Sequence, residues 1–448
     1  MMVRCATRSI GRWSPSGSVS QALLWCAAHA LVGSAAAAQA PALEAWSLPP
    51  RGGRLEVVAG TRVLHVRGDE VERGFAEGYL CADELIECFN EFALGHVVAG
   101  RPELWDLLVL PAVRSQFEFP SATRSWSRAV AAGVRIARLE RGLGPALAPL
   151  GRELTGADVL ACAAIPDLAG LLCSSFAAWG EATASGDVFV GRNLDYPSTP
   201  AIERNAFVRV SAPEGGRAGW IGVGWPGSPG CLTGLSERGV FVAIHDVVAG
   251  PRQGRGKCLP RVLALEELVE SLTPSAAIGA LAVSALRRHS FAMGGNVMLA
   301  YQLPSDAARG AEGTDADADP GARGALVLEL DGRGGLDGGV TARSPGLGEP
   351  FVACSNHHRL RAADGHACPR YGALLAGARA AVAPSGPGRL DLAGAWALIR
   401  QSEMGITLYR CVADLGGRAI EVERKTQEGW QPSVALRYHD GEVVVSAR

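Results

Sequence analysis

Residues 171–197 read LLCSSFAAWGEATASGDVFVGRNLDYP, and the reading of this stretch decides the fold. Cys173 and two serines head an apolar run. Turn-forming Gly, Ser and Asp follow, and a second apolar run, VFVGRNLD, ends with Arg192 and Asp195 three residues apart. Short apolar runs bounded by turn residues are strand-like. On these residues alone Cys173 has two readings: a buried or disulfide-bonded core residue, or a nucleophile that Arg192 and Asp195 are placed to serve. Taken by themselves, Arg192 and Asp195 read as a surface salt bridge.

The same texture continues downstream. AFVRVSA, AGWIGVGW and RGVFVAIHDV are strand-like, and further strands are expected at 295–302, 325–330, 351–354 and after 405 (ITLYRCVAD, RAIEVER, SVALRYH, EVVVSAR). A helical pattern fills about 259–287. LPSDAARGAEGTDADADPGARG, acidic and Gly/Ala-rich, reads as a surface loop. Upstream, RLEVV (54–58) and RVLHV (62–66) predict a hairpin, DEVERGFAEGYLCADELIECFNEFALGHV a long helix over about 69–98, and 103–165 more helix. Strands in blocks and helices in blocks imply layered α+β packing.

The chain has 448 residues, 48% hydrophobic and 20% charged, with a formal net charge of −2. It can bury a large core, and without a Lys/Arg block nothing favours nucleic acid as a partner. Arg4, Arg8 and Arg12 precede QALLWCAAHALVGSAAAAQA (21–40), an uncharged run ending in small residues. This is the pattern of a secretory signal over residues 1–38, cleaved after Ala38, and it predicts export. The run is short for the ~20 residues of a membrane span, and no integral membrane segment beyond the signal is expected. Of eleven cysteines, Cys5 and Cys26 fall in the signal. The odd remainder suggests one free thiol and possible pairs. Cys231 with Cys258 and Cys354 with Cys368 are conceivable; Cys81 and Cys88, about 10.5 Å apart along a helix, are too distant to bond. No Cys/His spacing suggests zinc, and no cofactor is expected.

The run C-S-S-F followed by V-F-V-G-R-N-L-D-Y resembles the start of the mature catalytic chain of cysteine-type N-terminal nucleophile (Ntn) hydrolases. The greatest similarity is to the peptidase family C45 acyltransferases and hydrolases, relatives of isopenicillin-N acyltransferase and the choloylglycine hydrolases. GLSERGVFVAIHDV (234–247), GNVMLAYQ with ALVLEL (295–330) and ACSNHHRL (353–360) fit in the same order, and HVRGDEVERGFAEGYL (65–80) resembles the G-x-x-x-E-x-G-x-x-x-G segment of the C45 propeptide region. The resemblance covers nearly everything from about residue 54 onward. It implies a four-layer αββα sandwich, an α+β fold, over 173–448, after a mostly helical propeptide region (39–172) that is cleaved before Cys173 and retained.

The implied chemistry meets a physical need. A cysteine at a chain N-terminus carries its own base, because an α-amine with a pKa near 8 can take the thiol proton. By resemblance Cys173 is nucleophile and base, Arg192 favours the thiolate, Asp195 orients the amine, Asn356 helps form the oxyanion hole, and Arg370 takes the place of a later active-site arginine. Two departures stand out. His245 or Asp246 is near the place of a second oxyanion asparagine, where an ionised Asp cannot donate, and Leu172 precedes the nucleophile where many precursors have Gly. Outside the resemblance, Asn356 reads as a turn residue, His357 and His358 raise a papain-like Cys/His/Asn site, and Glu329 reads as a structural carboxylate. The expected partner is a small-molecule amide or acyl substrate. The expected reaction is cleavage of a non-peptide carbon–nitrogen bond through an acyl-thioester, resolved by water or an amine. A non-catalytic protein on the same fold, or a thioesterase or ester hydrolase, is the alternative.

Overall fold

The first strands, β1 (Gly53–Val58) and β2 (Thr61–Gly68), pair antiparallel through a turn in which Ala59 and Gly60 both have positive φ (47° and 75°), the left-handed geometry a two-residue hairpin demands. The computed structural model describes residues 52–170, 172–247, 256–303, 323–332, 339–361, 368–383 and 388–448. The expected signal at 1–38 and most of the acidic loop (304–322) lie outside the described residues.

The chain is mixed α/β, built on two large sheets. The second sheet contains the opening stretch: β3 (Leu172–Ala178) lies beside β4 (Phe189–Asp195) in the order β12-β3-β4-β13-β14-β16-β17, with β12 at Phe351–Cys354, β13 at Thr407–Asp414, β14 at Ala419–Thr426, β16 at Val434–His439 and β17 at Glu442–Ala447; β15 (Gly429–Trp430) pairs with β14. The first sheet runs β1-β2-β5-β6-β7-β8-β9-β10-β11, with β5 at Phe207–Pro213, β6 at Trp220–Gly224, β7 at Thr233–Ser236, β8 at Val240–Val247, β9 at Gly294–Gln302, β10 at Arg323–Leu330 and β11 at Val340–Arg343. Neighbours in both sheets pair antiparallel except β2 and β5, which run parallel. The hairpin of the expected propeptide region therefore belongs to the same sheet as strands that follow Cys173.

The long helix expected over 69–98 is three pieces: α1 (Glu70–Leu80), α2 (Ala82–Cys88) and a π-helix over Phe89–Val97. Asp69 and Glu72 form a reciprocal capping box that starts α1. Within 103–165 lie a π-helical turn at Trp105–Val109, α3 (Leu110–Gln116), α4 (Ser121–Glu140) and α5 (Gly156–Ala169). The glycines of the G-x-x-x-E-x-G-x-x-x-G segment have a packing reason. A Cβ on Gly74 would meet the Trp126 carbonyl oxygen at 2.4 Å, and one on Gly78 the Val130 carbonyl oxygen at 2.0 Å, so only glycine lets α1 approach α4 this closely.

After α6 (Pro200–Asn205), the helix expected over 259–287 is two helices, α7 (Arg261–Ser271) and α8 (Ile278–Leu286), because the chain turns extended at Leu272, ahead of Pro274. The pattern did not reveal β11 or two helices, α9 (Pro369–Val382) and α10 (Leu392–Arg400). These helices cover the outer face of the second sheet, where Phe176, Phe189 and Val412 pack against Leu374, Leu398 and Ile399. Fully burying Phe176 contributes about 2 kcal/mol. The inner faces share one core, in which Ala177, Val190 and Tyr409 meet Val242, Ile244 and Leu299. The nine cysteines among the described residues are all free thiols, so neither Cys231 with Cys258 nor Cys354 with Cys368 is a disulfide.

Candidate active site

Strand alternation decides which side chains of β3 can meet. Ser174, Phe176 and Ala178 turn toward the helices, Ser174 sharing a hydrogen bond with Ser402 at 3.0 Å. Cys173, Ser175 and Ala177 turn toward the first sheet. On β4, Arg192 lies opposite Ser175 and therefore diagonal to Cys173. Its Nη2 donates to Cys173 Sγ at 3.4 Å, and its Nη1 to the Ile244 carbonyl at 2.8 Å. Gly191 makes this pairing possible, since a Cβ there would stand 2.3 Å from the Phe176 ring.

Cys173 is fully buried. Burial pushes its thiol up to about 11, Arg192 pulls it down, and Asp195 and Asp246 add to the rise. In the intact chain the thiol is neutral at pH 7. Burial works against the charge of Arg192, but Cys173 and Tyr409 more than offset it, and the guanidinium stays protonated.

A ring of hydrogen bonds holds the Cys173 backbone. The amide nitrogen donates to Asn356 Oδ1 at 2.8 Å, and the carbonyl accepts from Arg370 Nη1 at 2.9 Å. Arg370 also donates to Asn356 Oδ1 and to Asp195 Oδ2, each at 2.9 Å. Thr407 Oγ1 donates to the other Asp195 oxygen, Oδ1. Burial pushes the Asp195 carboxyl up to about 6, held back by Thr407, Arg370 and Arg192. Asp195 thus reaches Cys173 through Arg370, and the atom that touches the Cys173 nitrogen is Asn356 Oδ1. The Asn356 amide nitrogen donates to the Asp246 carbonyl at 2.8 Å.

Distant elements supply these groups. Arg370 sits in the first turn of α9. Asn356 is in the loop after β12, and Glu329, buried at the end of β10, accepts the backbone N–H groups of Arg359, Leu360 and Arg361 at 2.8–3.0 Å and pairs with Arg343 at 3.0 Å. Asn296 donates to the Ser355 and His357 carbonyls at 2.8 and 2.9 Å. The loop is clamped from both ends, and Glu329 has the structural role expected of it.

His245 and Asp246 lie on β8, facing β3, and turn elsewhere. His245 Nε2 shares a hydrogen bond with Ser175 Oγ at 2.8 Å, and burial, then Arg192, hold the imidazole well below its usual range, so it is neutral. The Asp246 carboxylate pairs with Arg261 at 2.8 Å, and Arg261 with Asp167 at 2.7 Å, tying the start of α7 to α5. His357 faces Ser355 at 2.9 Å and His358 the Gly295 carbonyl at 3.3 Å. The side chains bonded to Cys173 are Asn356, Arg192 and Arg370, which is not the Cys/His/Asn pattern. Thr407, Ser175, Arg261 and Asp167 were missed in the sequence, because no local motif marks a residue whose partner lies on an element far away along the chain.

Next to the site lies an apolar pocket lined by Phe89, Phe92, Ile165, Ile202, Trp225 and Leu232, and by Tyr196, the neighbour of Asp195. Cys173 is not part of its wall. Among the described residues no group of three or more His, Cys, Asp or Glu stands close enough to hold a metal ion, and no helix is long and apolar enough to cross a membrane.

No family model matches the chain. Over 216 residues it is 26% identical to an uncharacterized protein of Archaeoglobus fulgidus, a match covering 45% of this chain and 35% of that one; the chain thus matches about a third of that relative's length. Among solved structures it is similar to a Caenorhabditis elegans ortholog of N-acylethanolamine-hydrolyzing acid amidase (15% identity, TM-score 0.39, 55% of this chain and 93% of that one). A mutant conjugated bile acid hydrolase from Clostridium perfringens (10%, 0.38, 62% and 96%) and a penicillin V acylase from Agrobacterium tumefaciens (13%, 0.35, 59% and 91%) are also similar.

Proposed function

We propose that the protein is a cysteine-dependent amidohydrolase of the Ntn type, C45-like, with the αββα architecture, activated by cleavage of its own chain between Leu172 and Cys173. The observation that carries this reading is the Cys173 backbone nitrogen seated on Asn356 Oδ1 while its thiol accepts from Arg192. In the intact chain that nitrogen is an amide and cannot act as a base. Attack of Sγ on the Leu172 carbonyl transfers the acyl group from nitrogen to sulfur, and water then releases the Leu172 carboxylate and a free Cys173 α-amine. The amine, with an ordinary pKa near 8, sits where the amide nitrogen was bonded and takes the proton of its own thiol. The thiolate attacks a substrate carboxamide, the departing amine leaves with a proton, and water resolves the thioester.

Arg192 stabilises the thiolate. Asp195 and Arg370 fix the Cys173 carbonyl, and Asn356 Oδ1 holds its nitrogen. An oxyanion role for Asn356 falls to the same Nδ2 that bonds the Asp246 carbonyl, with His245 turned toward Ser175. The apolar pocket beside Asp195 and Tyr196 suits a hydrophobic acyl group, as in N-acyl amines, N-acyl amino acids or β-lactam side chains. The signal-like residues 1–38 support export, with the propeptide region retained through β1 and β2, and outside the cytoplasm water is the abundant acceptor. The test is a panel of chromogenic acyl amides run with and without acyl-CoA and amine acceptors. Release of free acid should dominate; faster transfer from acyl-CoA to an amine would contradict the hydrolase reading and the export that supports it.

The complete burial of Cys173 favours a second reading, a locked, non-catalytic protein on the same fold. It requires a chain that stays whole and never exposes the Cys173 amine.

A further inference from the structure

A second cavity, about 300 Å³ and open to solvent on one side, lies where α1 and α4 meet β5, β6 and α7. None of Cys173, Arg192, Asp195, Asn356 or Arg370 lines it. Its walls carry eight ionisable groups, four glutamates against three arginines and a histidine, and all but one have a partner. Arg217 pairs with Glu70 at 2.7 Å and with Glu270 at 3.5 Å. Arg73, 5% exposed, donates to Ser211 at 2.9 Å and stands 3.7 Å from Glu270, which also accepts from Trp220 Nε1 at 3.1 Å. Arg209 pairs with the fully buried Glu77 at 2.8 Å, and Glu267 with Arg288 and, at 3.1 Å, His289. Glu266 has neither an ion pair nor a hydrogen bond.

Glu266 is half-buried and lines the cavity one helical turn from Glu270 on α7. A carboxylate in a partly buried cleft beside another carboxylate is costly unless it is protonated or meets a cation. Burial, then the Glu270 charge, raise the Glu266 carboxyl, and Arg73, Arg209 and Arg217 offset the rise only in part. The rest of the wall is organic in character: the indole of Trp126, with Arg209 5.6 Å from the ring centre, and Leu259, Leu263 and Pro229. A hard metal ion needs several oxygen ligands. Here the oxygens of Glu270 and Glu267 are already taken by Trp220 and basic side chains, and no three-carboxylate group is assembled among the described residues.

We propose that this cavity binds a small primary organic ammonium ion, whose charge meets Glu266 and whose carbon skeleton lies against Trp126 and Leu263. The site is made by both halves of the chain, α1 and α4 before Cys173 and β5, β6 and α7 after it, so its occupant bridges the two.

The test is titration of the purified full chain with n-butylammonium chloride, followed by tryptophan fluorescence and by calorimetry in phosphate and in HEPES, with 1-butanol and calcium chloride as comparison probes. Wild type should bind n-butylammonium saturably and with a buffer-dependent heat, because a cation on Glu266 displaces its proton, and it should ignore 1-butanol and calcium. Glu266→Gln, which removes an unpaired charge and keeps the shape, should fold with an unchanged or higher melting temperature and bind at least about tenfold more weakly, the loss of one charge-assisted hydrogen bond. Glu266→Asp should bind more tightly than Glu266→Gln. Absence of saturable n-butylammonium binding to wild type, equal affinity in Glu266→Gln, or calcium binding in its place would each overturn the proposal.

Discussion

Arg370 donates to the carbonyl oxygen of Cys173 at 2.9 Å, across 197 residues of chain. The same guanidinium bonds Asp195 and Asn356, so one planar fork fixes the backbone of the nucleophile, the carboxylate beside it and the amide that holds its nitrogen. Lysine carries the charge without the fork. Arg370→Lys is expected to keep the fold and lower kcat/KM by about 10²-fold, the effect of a small misplacement of reacting groups, measured as release of free acid from an acyl amide.

Asn356 has its oxygen on the Cys173 nitrogen and its Nδ2 on the Asp246 carbonyl. Asn356→Ala should lose turnover by about 10²–10³, the usual loss for a removed oxyanion donor, and slow the cleavage before Cys173, with a circular dichroism spectrum like that of wild type. Near-normal turnover would remove Asn356 from the machinery.

Asp195 predicts opposite pH slopes for stability and activity. Its folded carboxyl, at about 6, lies above the usual unfolded value, so the folded state binds more protons between about 4 and 6. The contribution of this group to stability is present at low pH and lost as pH rises through about 6. Activity depends on the ionised form that pairs with Arg370, and falls as pH drops through the same value. Asp195→Asn should flatten the acid limb of the rate profile and reduce the pH dependence of the melting temperature over that window.

Glu329 touches no group bonded to Cys173, yet it accepts three backbone N–H groups from the segment just after Asn356. Glu329→Gln should cost roughly 2 kcal/mol of stability, since hydrogen bonds to a charged acceptor are among the stronger ones. It should also lower kcat more than it raises KM, read from a thermal melt and steady-state kinetics on one preparation.

The described cysteines are free thiols. A reducing agent should therefore leave the melting temperature of the purified protein unchanged, and a fall on reduction would mean that a disulfide forms.

The local parts of the fold were legible in the sequence and the long-range parts were not. The strand-like runs around Cys173 became β3 and β4, adjacent in register, because an apolar period and a Gly/Ser/Asp turn are local signals. The hairpin at β1 and β2 was legible for the same reason. Helix α9 was missed because Gly372, Gly377 and a run of alanines blur its apolar period. The split of the long helix at Cys81 and its π-helical end carry no breaker residue that would mark them. Within the site, Arg192 and Asp195 by themselves read as a surface salt bridge, whereas both are fully buried and bonded to other groups; their roles, like those of Asn356 and Arg370, could be named only through family resemblance. Thr407, 212 residues from Asp195, carries no signal until the sheet is assembled. The disposition of Asp195, which reaches the Cys173 nitrogen through Arg370 and Asn356, needed the geometry.

The central claim is that Cys173 becomes a chain terminus, and mass spectrometry of the purified full-length protein tests it most directly. The account predicts two polypeptides that remain associated, the second beginning at Cys173, with Cys173→Ala giving one uncleaved, inactive chain. An active wild-type protein that is a single polypeptide across Leu172 and Cys173 would contradict it.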